Sequence, residues 1–236
     1  MKAFLNWSGG KDSSLALYHA RLGGLPVEAL LTSMNAAHGR ISMHGVRREL
    51  LQRQAASLGL PLHTLELTEQ PGMETYEAAL RSAHQEFAAS GFSDAVYGDI
   101  FLEDLRLYRE RMLALDGLQA LFPLWKRNTT DLAAEFIALG FRAIVVCVND
   151  SFLGQDFCGR LLDQSFLADL PADVDPCGEN GEYHSFVFDG PGFSTPVTFT
   201  RGETVYRAYT APKKEEEECF TAPAPPAGFY FCELLP

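Results

Sequence analysis

Six consecutive residues near the N-terminus, Ser8-Gly9-Gly10-Lys11-Asp12-Ser13, are of the types that hold a chain of phosphates. Two adjacent glycines let the backbone turn tightly and approach a ligand closely. Residues 13–22 read as a helix ended by Gly23-Gly24, so the loop opens a helix whose free N–H groups and positive dipole end face an anion. Ser8, Ser13 and Ser14 add hydroxyl donors, and Lys11 adds a point charge. Asp12 has the wrong sign for phosphate and suits a magnesium ligand or a loop-orienting group. The pattern is not GxxxxGK[ST], which needs Gly where this chain has Leu5 and Ser or Thr where it has Asp12. Lying at a strand-to-helix turn, the loop is expected at the surface.

A second concentration of chemistry runs from Asp175 through Cys177, Gly178, Glu179, Asn180, Gly181, Glu182 and Tyr183 to His184. Glu179 and Glu182 sit three apart among small residues that suit an extended, exposed loop. Such carboxylates can bind magnesium or ammonium, or take a proton as general bases, with His184 beside them; a turn with solvated acids is the other reading. Arg106 and Arg109 share one face of a helix and could clamp a carboxylate or a phosphate, or pair with Glu103, Asp104 or Glu110. Trp125, beside Lys126 and Arg127, reads as a substrate wall or a core tryptophan, and His44 lies in a glycine-containing loop with His38 upstream. The five cysteines include no CxxC pair, which argues against a structural zinc site or a dithiol centre. Cys147 reads as core, and Cys177 stands out through its place in the acidic block.

These groups need a scaffold. Apolar runs at 2–6, 27–33, 62–67, 94–97, 118–121 and 141–148 alternate with helical patterns at 44–58, 74–89, 103–115 and 130–139. Strands separated by helices predict an α/β fold with a doubly wound, mostly parallel sheet. Ligands in such sheets sit at the carboxyl ends of the strands, which nominates Thr32, Ser33 and Met34 after the second strand and Gly98 with Asp99 after the fourth. Beyond Asn149 prolines, aromatics and threonines rise, and short strands are expected at 187–188, 197–200 and 204–209. The expected organisation is a nucleotide-binding unit over 1–150, a small, partly β appendage over 151–210, and a tail over 211–236, mobile in part, in which Glu215 to Glu218 form a solvated acidic run.

Composition sets outer limits. A chain of 236 residues, 47% hydrophobic, can bury a sizeable core. No apolar run approaches the roughly 20 residues that span a bilayer, and the apolar start is too short for a signal peptide. The expected location is the cytoplasm, with no membrane partner. A net charge of −12 argues against nucleic acid as the partner.

The Ser8-to-Ser13 hexapeptide resembles the signature of the PP-loop ATP pyrophosphatases. That resemblance implies ATP with Mg2+, Ser8 to Ser13 wrapped around the β- and γ-phosphates, and scission between the α- and β-phosphates. Further blocks narrow it: His44-Gly45-Val46 with Glu49-Leu50 and Gln54-Ala55, Gly98-Asp99-Ile100-Phe101 with Arg106 and Arg109, Leu121-Phe122-Pro123-Leu124-Trp125, and the acidic block. Together, over about residues 1–210, they resemble the diphthine–ammonia ligase family. The acidic block departs from the family's usual glycine pair at Asn180 but keeps Glu179 and Glu182.

The resemblance implies an ATP-dependent amide-forming ligase. A carboxylate, on elongation factor 2 as diphthine or on a small metabolite, is adenylated; ammonia then displaces AMP. Lys11, Glu179, Glu182 and His184 would be catalytic, and His44, Arg106, Arg109, Trp125 and Asn180 would bind substrate. Nothing in the chain resembles a glutaminase domain, so free ammonia or a separate subunit would supply nitrogen, and a homodimer is compatible with all of this. Two alternatives stay open: a PP-loop enzyme of tRNA modification, and a nucleotide-binding protein without catalysis.

Overall fold

The computed structural model describes residues 2–41, 44–68, 72–209 and 227–236. Strand β1 (Ala3–Asn6) is fully apolar at its centre because both its faces are covered. It leads into helix α1 (Lys11–Leu22), strand β2 (Val27–Asn35), the two-residue β3 (Arg40–Ile41), helix α2 (Arg48–Leu58) and β4 (Leu62–Leu67). Helix α3 (Met73–Ala89), β5 (Asp94–Val96), α4 (Glu103–Ala114), β6 (Gln119–Leu121) and α5 (Thr129–Ala138) complete this half.

Among the described residues the first sheet is parallel in the order β4-β2-β1-β5-β6, with β3 antiparallel to the end of β2. Side-chain alternation sorts its two faces. Ala3, Leu5, Leu30 and Val96 pack with Leu15, Ala16 and Ala20 of α1 and Leu50 and Leu51 of α2. Phe4, Ala29, Leu31 and Ala95 face the other way, onto Leu80 and Phe87 of α3 and Leu113 of α4. Helices on both faces make the sheet doubly wound, as the sequence pattern predicts.

The strongest apolar run departs from expectation. Strand β7 (Arg142–Asn149) does not join the parallel sheet; it sits in a second, antiparallel sheet of order β8-β7-β10-β9. Its neighbours are β8 (Tyr183–Asp189) and β10 (Ala227–Leu235), and β10 in turn pairs with β9 (Thr200–Tyr209). A run buried on both faces has the same hydrophobic signature in either sheet. Part of the expected tail is therefore β10, an interior strand. Residues 197–199 lie outside any strand, and β8 extends well beyond 187–188. The acidic run Glu215 to Glu218 lies outside the described residues. One continuous core joins the sheets, because Val145, Phe186 and Val187 pack in the same cluster as Leu5 and Leu15. Between β7 and β8 the chain makes a 3₁₀ turn (Gln155–Phe157), a short helix α6 (Gln164–Asp169) and the acidic loop. No described helix is long and apolar enough to cross a membrane.

His84, on the buried stripe of α3, has no exposed surface, and neither ring nitrogen has a hydrogen-bond partner. Its nearest ionic neighbour is Asp116, 3.9 Å away, which Arg81 and Gln85 already hold at 3.2 and 3.0 Å. Burial lowers the His84 pKa from 6.5 to about 4, with Asp116 opposing. Between those values the unfolded chain binds more protons than the folded one, so stability present above pH 6.5 is lost as pH falls toward 4. Urea denaturation across this range should show His84→Phe losing about 3 kcal/mol less stability than the parent.

Candidate active site

The carboxyl ends of β1, β2 and β5 open into a cavity of about 470 Å³. Strand order reverses between β1 and β5, because the chain leaves β1 for β2 on one side and returns to β5 on the other. Such a switch point is where doubly wound sheets hold ligands.

The phosphate-type loop forms one wall. Gly9 takes a φ of +76°, a left-handed conformation that a side chain would strain. Gly10 caps α1, and Ser13 and Ser14 turn their hydroxyls back to its carbonyl at 3.0 Å. The loop is covered, contrary to the expectation of a surface position. Strand β8 crosses over it: Val187 N–H donates to the Gly9 carbonyl at 2.9 Å, and Lys11 N–H donates to Ser185 Oγ at 3.1 Å. Gln54 Nε2 donates to Gly9 O at 3.0 Å and to Val187 O at 2.5 Å, while its Oε1 accepts from Trp7 Nε1 at 3.0 Å. Thr32 Oγ1 donates to Trp7 O at 2.6 Å, which fixes the end of β1.

Lys11 is 2% exposed, and its Nζ lies 2.5 Å from Asp12 Oδ1. Burial works against its charge, but Asp12, with smaller help from Cys177 and Tyr183, outweighs it and raises the pKa above lysine's ordinary value. Burial raises the Asp12 pKa, with Lys11 opposing. His44 stacks on His184 with ring centroids 4.6 Å apart, and its Nδ1 lies 3.3 Å from the Ser185 carbonyl. A carbonyl only accepts, so Nδ1 carries the proton and Nε2 keeps its lone pair. Burial lowers the His44 pKa to about 4, and burial with His44 and Lys11 nearby pushes His184 well down. Both rings are neutral at neutral pH, and His184 Nε2 is buried without a hydrogen-bond partner.

The acidic block divides. Glu179 lines the cavity, and its Oε1 accepts from the backbone N–H of Ile100 at 2.7 Å, just beyond Gly98 and Asp99. Burial raises its pKa to about 7, against the pull of the Ile100 N–H. Glu182 is 1% exposed and turned inward; its carboxylate accepts from Asp175 N–H at 3.1 Å, Asn180 N–H at 2.9 Å and Asn180 Nδ2 at 3.0 Å. Glu182 and Asn180 thus tie their own turn together and do not line the cavity. Cys177 does line it, but burial raises its thiol to about 12, so it is no nucleophile.

The two arginines part as well. Arg109 lines the cavity, pairs with Asp99 (Nε to Oδ2, 2.8 Å) and lies 4.3 Å over the Tyr97 ring. Arg106 turns away to Glu110, 2.7 Å, and stacks 4.7 Å over Trp125. Arg106 and Trp125 do not reach the cavity, and Met34 is fully buried in the core beneath it. Ser8, Gly10, Asp12, Ser13, Ser33, His44, Gly98, Asp99 and His184 all line it. Sequence reasoning missed Tyr76, Leu80, Tyr108 and Met112, which α3 and α4 contribute to an aromatic end. Their helical spacing reads as ordinary core. It also gave no role to Ser185 or to Gln54, whose partners are distant in the chain.

Among the described residues no three His, Cys, Asp or Glu groups converge on a metal position. A magnesium ion carried on nucleotide phosphates needs only one or two protein carboxylates, and Asp12, at the loop, suits that use.

Known proteins resemble this chain along most of its length. The family model for the diphthamide synthase N-terminal domain matches residues 1–120, and the model for its C-terminal domain matches residues 128–214. A diphthine–ammonia ligase of Danio rerio is 27% identical over 223 residues, covering 84% of this chain and 86% of that protein. The diphthine–ammonia ligase of Homo sapiens is 26% identical over 230 residues, covering 86% and 85%. That of Rattus norvegicus is 33% identical over 119 residues, covering 48% and 45%.

Gly98 supplies a test of the wall. A Cβ there would stand 2.8 Å from the carbonyl carbon of Asp12 and 3.0 Å from Ser13 N. Gly98→Ala should push the first turn of α1 out of place, costing about 1–3 kcal/mol of stability in thermal or urea unfolding. Calorimetric titration should show affinity for a non-hydrolysable ATP analogue falling more than tenfold; unchanged affinity would separate this wall from nucleotide binding.

Proposed function

Because the chain belongs to the diphthamide synthase family, we propose that it is an ATP-dependent ligase that activates a carboxylate as its adenylate and lets ammonia displace AMP. The carboxylate we propose is that of diphthine, after the activity for which its relatives are named. The observation that carries the reading is the meeting of the α1 loop and Glu179 across one cavity.

The chemistry follows from the wall groups. A carboxylate oxygen attacks the α-phosphorus, the bond to the β-phosphate oxygen breaks, and pyrophosphate leaves with the electron pair. The N-terminal amides of α1 and Lys11, turning from Asp12 to phosphate, stabilise that leaving charge. Asp12 would hold a magnesium ion brought in on the ATP phosphates, which would supply further charge neutralisation. Ammonium must lose a proton before it can attack. Glu179, with a pKa of about 7, is part ionised at neutral pH and takes that proton. The nitrogen then bonds to the acyl carbon, AMP leaves, and the new amide sheds its second proton to water. Neutral His44 and His184 add acceptors without adding charge that would repel ammonium.

Product analysis tests the reading. Purified protein with ATP, Mg2+, ammonium and a panel of carboxylates, including diphthine-bearing elongation factor 2, should give AMP and pyrophosphate only with its acceptor. ADP and phosphate would overturn it. Lys11→Met, which keeps length but removes charge, should cut pyrophosphate release more than about 100-fold.

Glu179→Gln should separate the two halves of the reaction. Acceptor-dependent exchange of labelled pyrophosphate into ATP should persist while amide formation stalls. In the parent, turnover should rise with pH through about 7 as Glu179 ionises. That limb should be missing from the variant, and a variant with an unaltered profile would remove Glu179 from the chemistry.

A further inference from the structure

Strand β10 lies beyond the residues either family model matches, yet two of its side chains, Glu233 and Phe231, reach the segment that carries His44 of the cavity wall. Glu233 receives two arginines, Arg40 of β3 and Arg47 just before α2. Arg40 Nη2 lies 2.8 Å from Oε2, and Arg47 Nε lies 2.5 Å from Oε1. Arg40 also donates through Nη1 to the Gly45 carbonyl at 2.7 Å, so the guanidinium ties Glu233 to the residue after His44. The Phe231 ring, two residues earlier on β10, packs so close that a Cβ at Gly45 would stand 3.0 Å from its Cδ1. The pairing holds the Glu233 carboxylate below its usual range; burial opposes this, and Arg40 and Arg47 outweigh it. The anchor is therefore ionised across the physiological range.

The turn held this way carries one group of the cavity wall, His44. Its position is narrow, between the Ser185 carbonyl at 3.3 Å and the His184 ring at 4.6 Å. Those two contacts alone are weak restraints on a turn. From β10 the two ion pairs and the Phe231 contact hold it, beside Val46, which is buried in the core. We propose that Glu233 is a positioning residue of the active site, pulling the β3–α2 turn onto β10 so that His44 stays stacked on His184 beside the phosphate loop. The kinetic part of its test rests on the ligase reading; the structural part does not.

Two variants and two readouts test it. Glu233→Gln removes the charge and keeps the shape. Arg47→Ala removes one of the two pairs from a half-exposed position and should act in the same direction more weakly. Proton NMR titration of the His44 ring reports its surroundings without any substrate. It should start near 4 in the parent and move up by one unit or more, toward the free value of 6.5, in Glu233→Gln. Turnover should fall about tenfold with KM for ATP unchanged, as expected when a group is displaced by a fraction of an ångström. Glu233→Asp should recover part of both. A His44 titration unmoved in both Glu233→Gln and Arg47→Ala overturns the proposal, whatever turnover does. A parent that makes no AMP ends the ligase reading instead, and the titration still decides this one.

Discussion

Gln54 is wholly buried, and its single amide serves three partners that come from far apart in the chain: Trp7, Gly9 and Val187. A loop that must present its N–H groups to a ligand cannot satisfy its own backbone, so its shape has to be imposed from outside. Here the oxygen of one side chain and both hydrogens of its nitrogen do so. They tie the end of β1, the bend of the loop and the crossing strand β8 into one unit. Glutamate would lose both donations, and leucine would remove all three bonds and leave the buried Trp7 Nε1 without its acceptor, at a cost of about 1–3 kcal/mol. Much of the remaining geometry follows from this junction, because β8 also carries Ser185 and His184.

The same enclosure decides the electrostatics. Buried charges survive only with close partners, and the cavity obeys this pair by pair: Lys11 with Asp12, Arg109 with Asp99. Groups without such a partner give up charge instead. His44 and His184 are neutral, and Glu179 is held near the middle of its titration at neutral pH. A polyanionic ligand entering here meets two cations, Lys11 and Arg109, each paired with a carboxylate, and two neutral imidazole rings that do not compete.

Much of this was legible in sequence where the information is local. The hexapeptide, its helix and the apolar strands of the parallel sheet are short-range signals, and the structure brings Ser8, Lys11, Asp12, Gly98, Asp99, Glu179 and His44 around one cavity. What failed was long-range. Periodicity shows that β7 is buried on both sides but cannot say in which sheet, and the aromatic run Phe229-Tyr230-Phe231 suits a strand without saying that it lies between β7 and β9. Glu179 and Glu182 look equivalent in sequence, yet a turn between them sends one toward the cavity and folds the other into its own backbone. Arg106 and Arg109 stand three residues apart, about 60° short of a full helical turn, and a stacked tryptophan takes the first.

The order of the second sheet has a consequence for how the protein is made. Strand β10 lies between β7 and β9, so β9 has no neighbour in that sheet until residues near 235 have left the ribosome. Pairings this distant form late, after the loop-closure cost has been met. The parallel sheet can be assembled well before that, on contacts within residues 3–121, while its hexapeptide waits for β8. A nascent chain therefore holds the parallel sheet before it holds β8 and β10, which cover the loop and anchor the turn that carries His44.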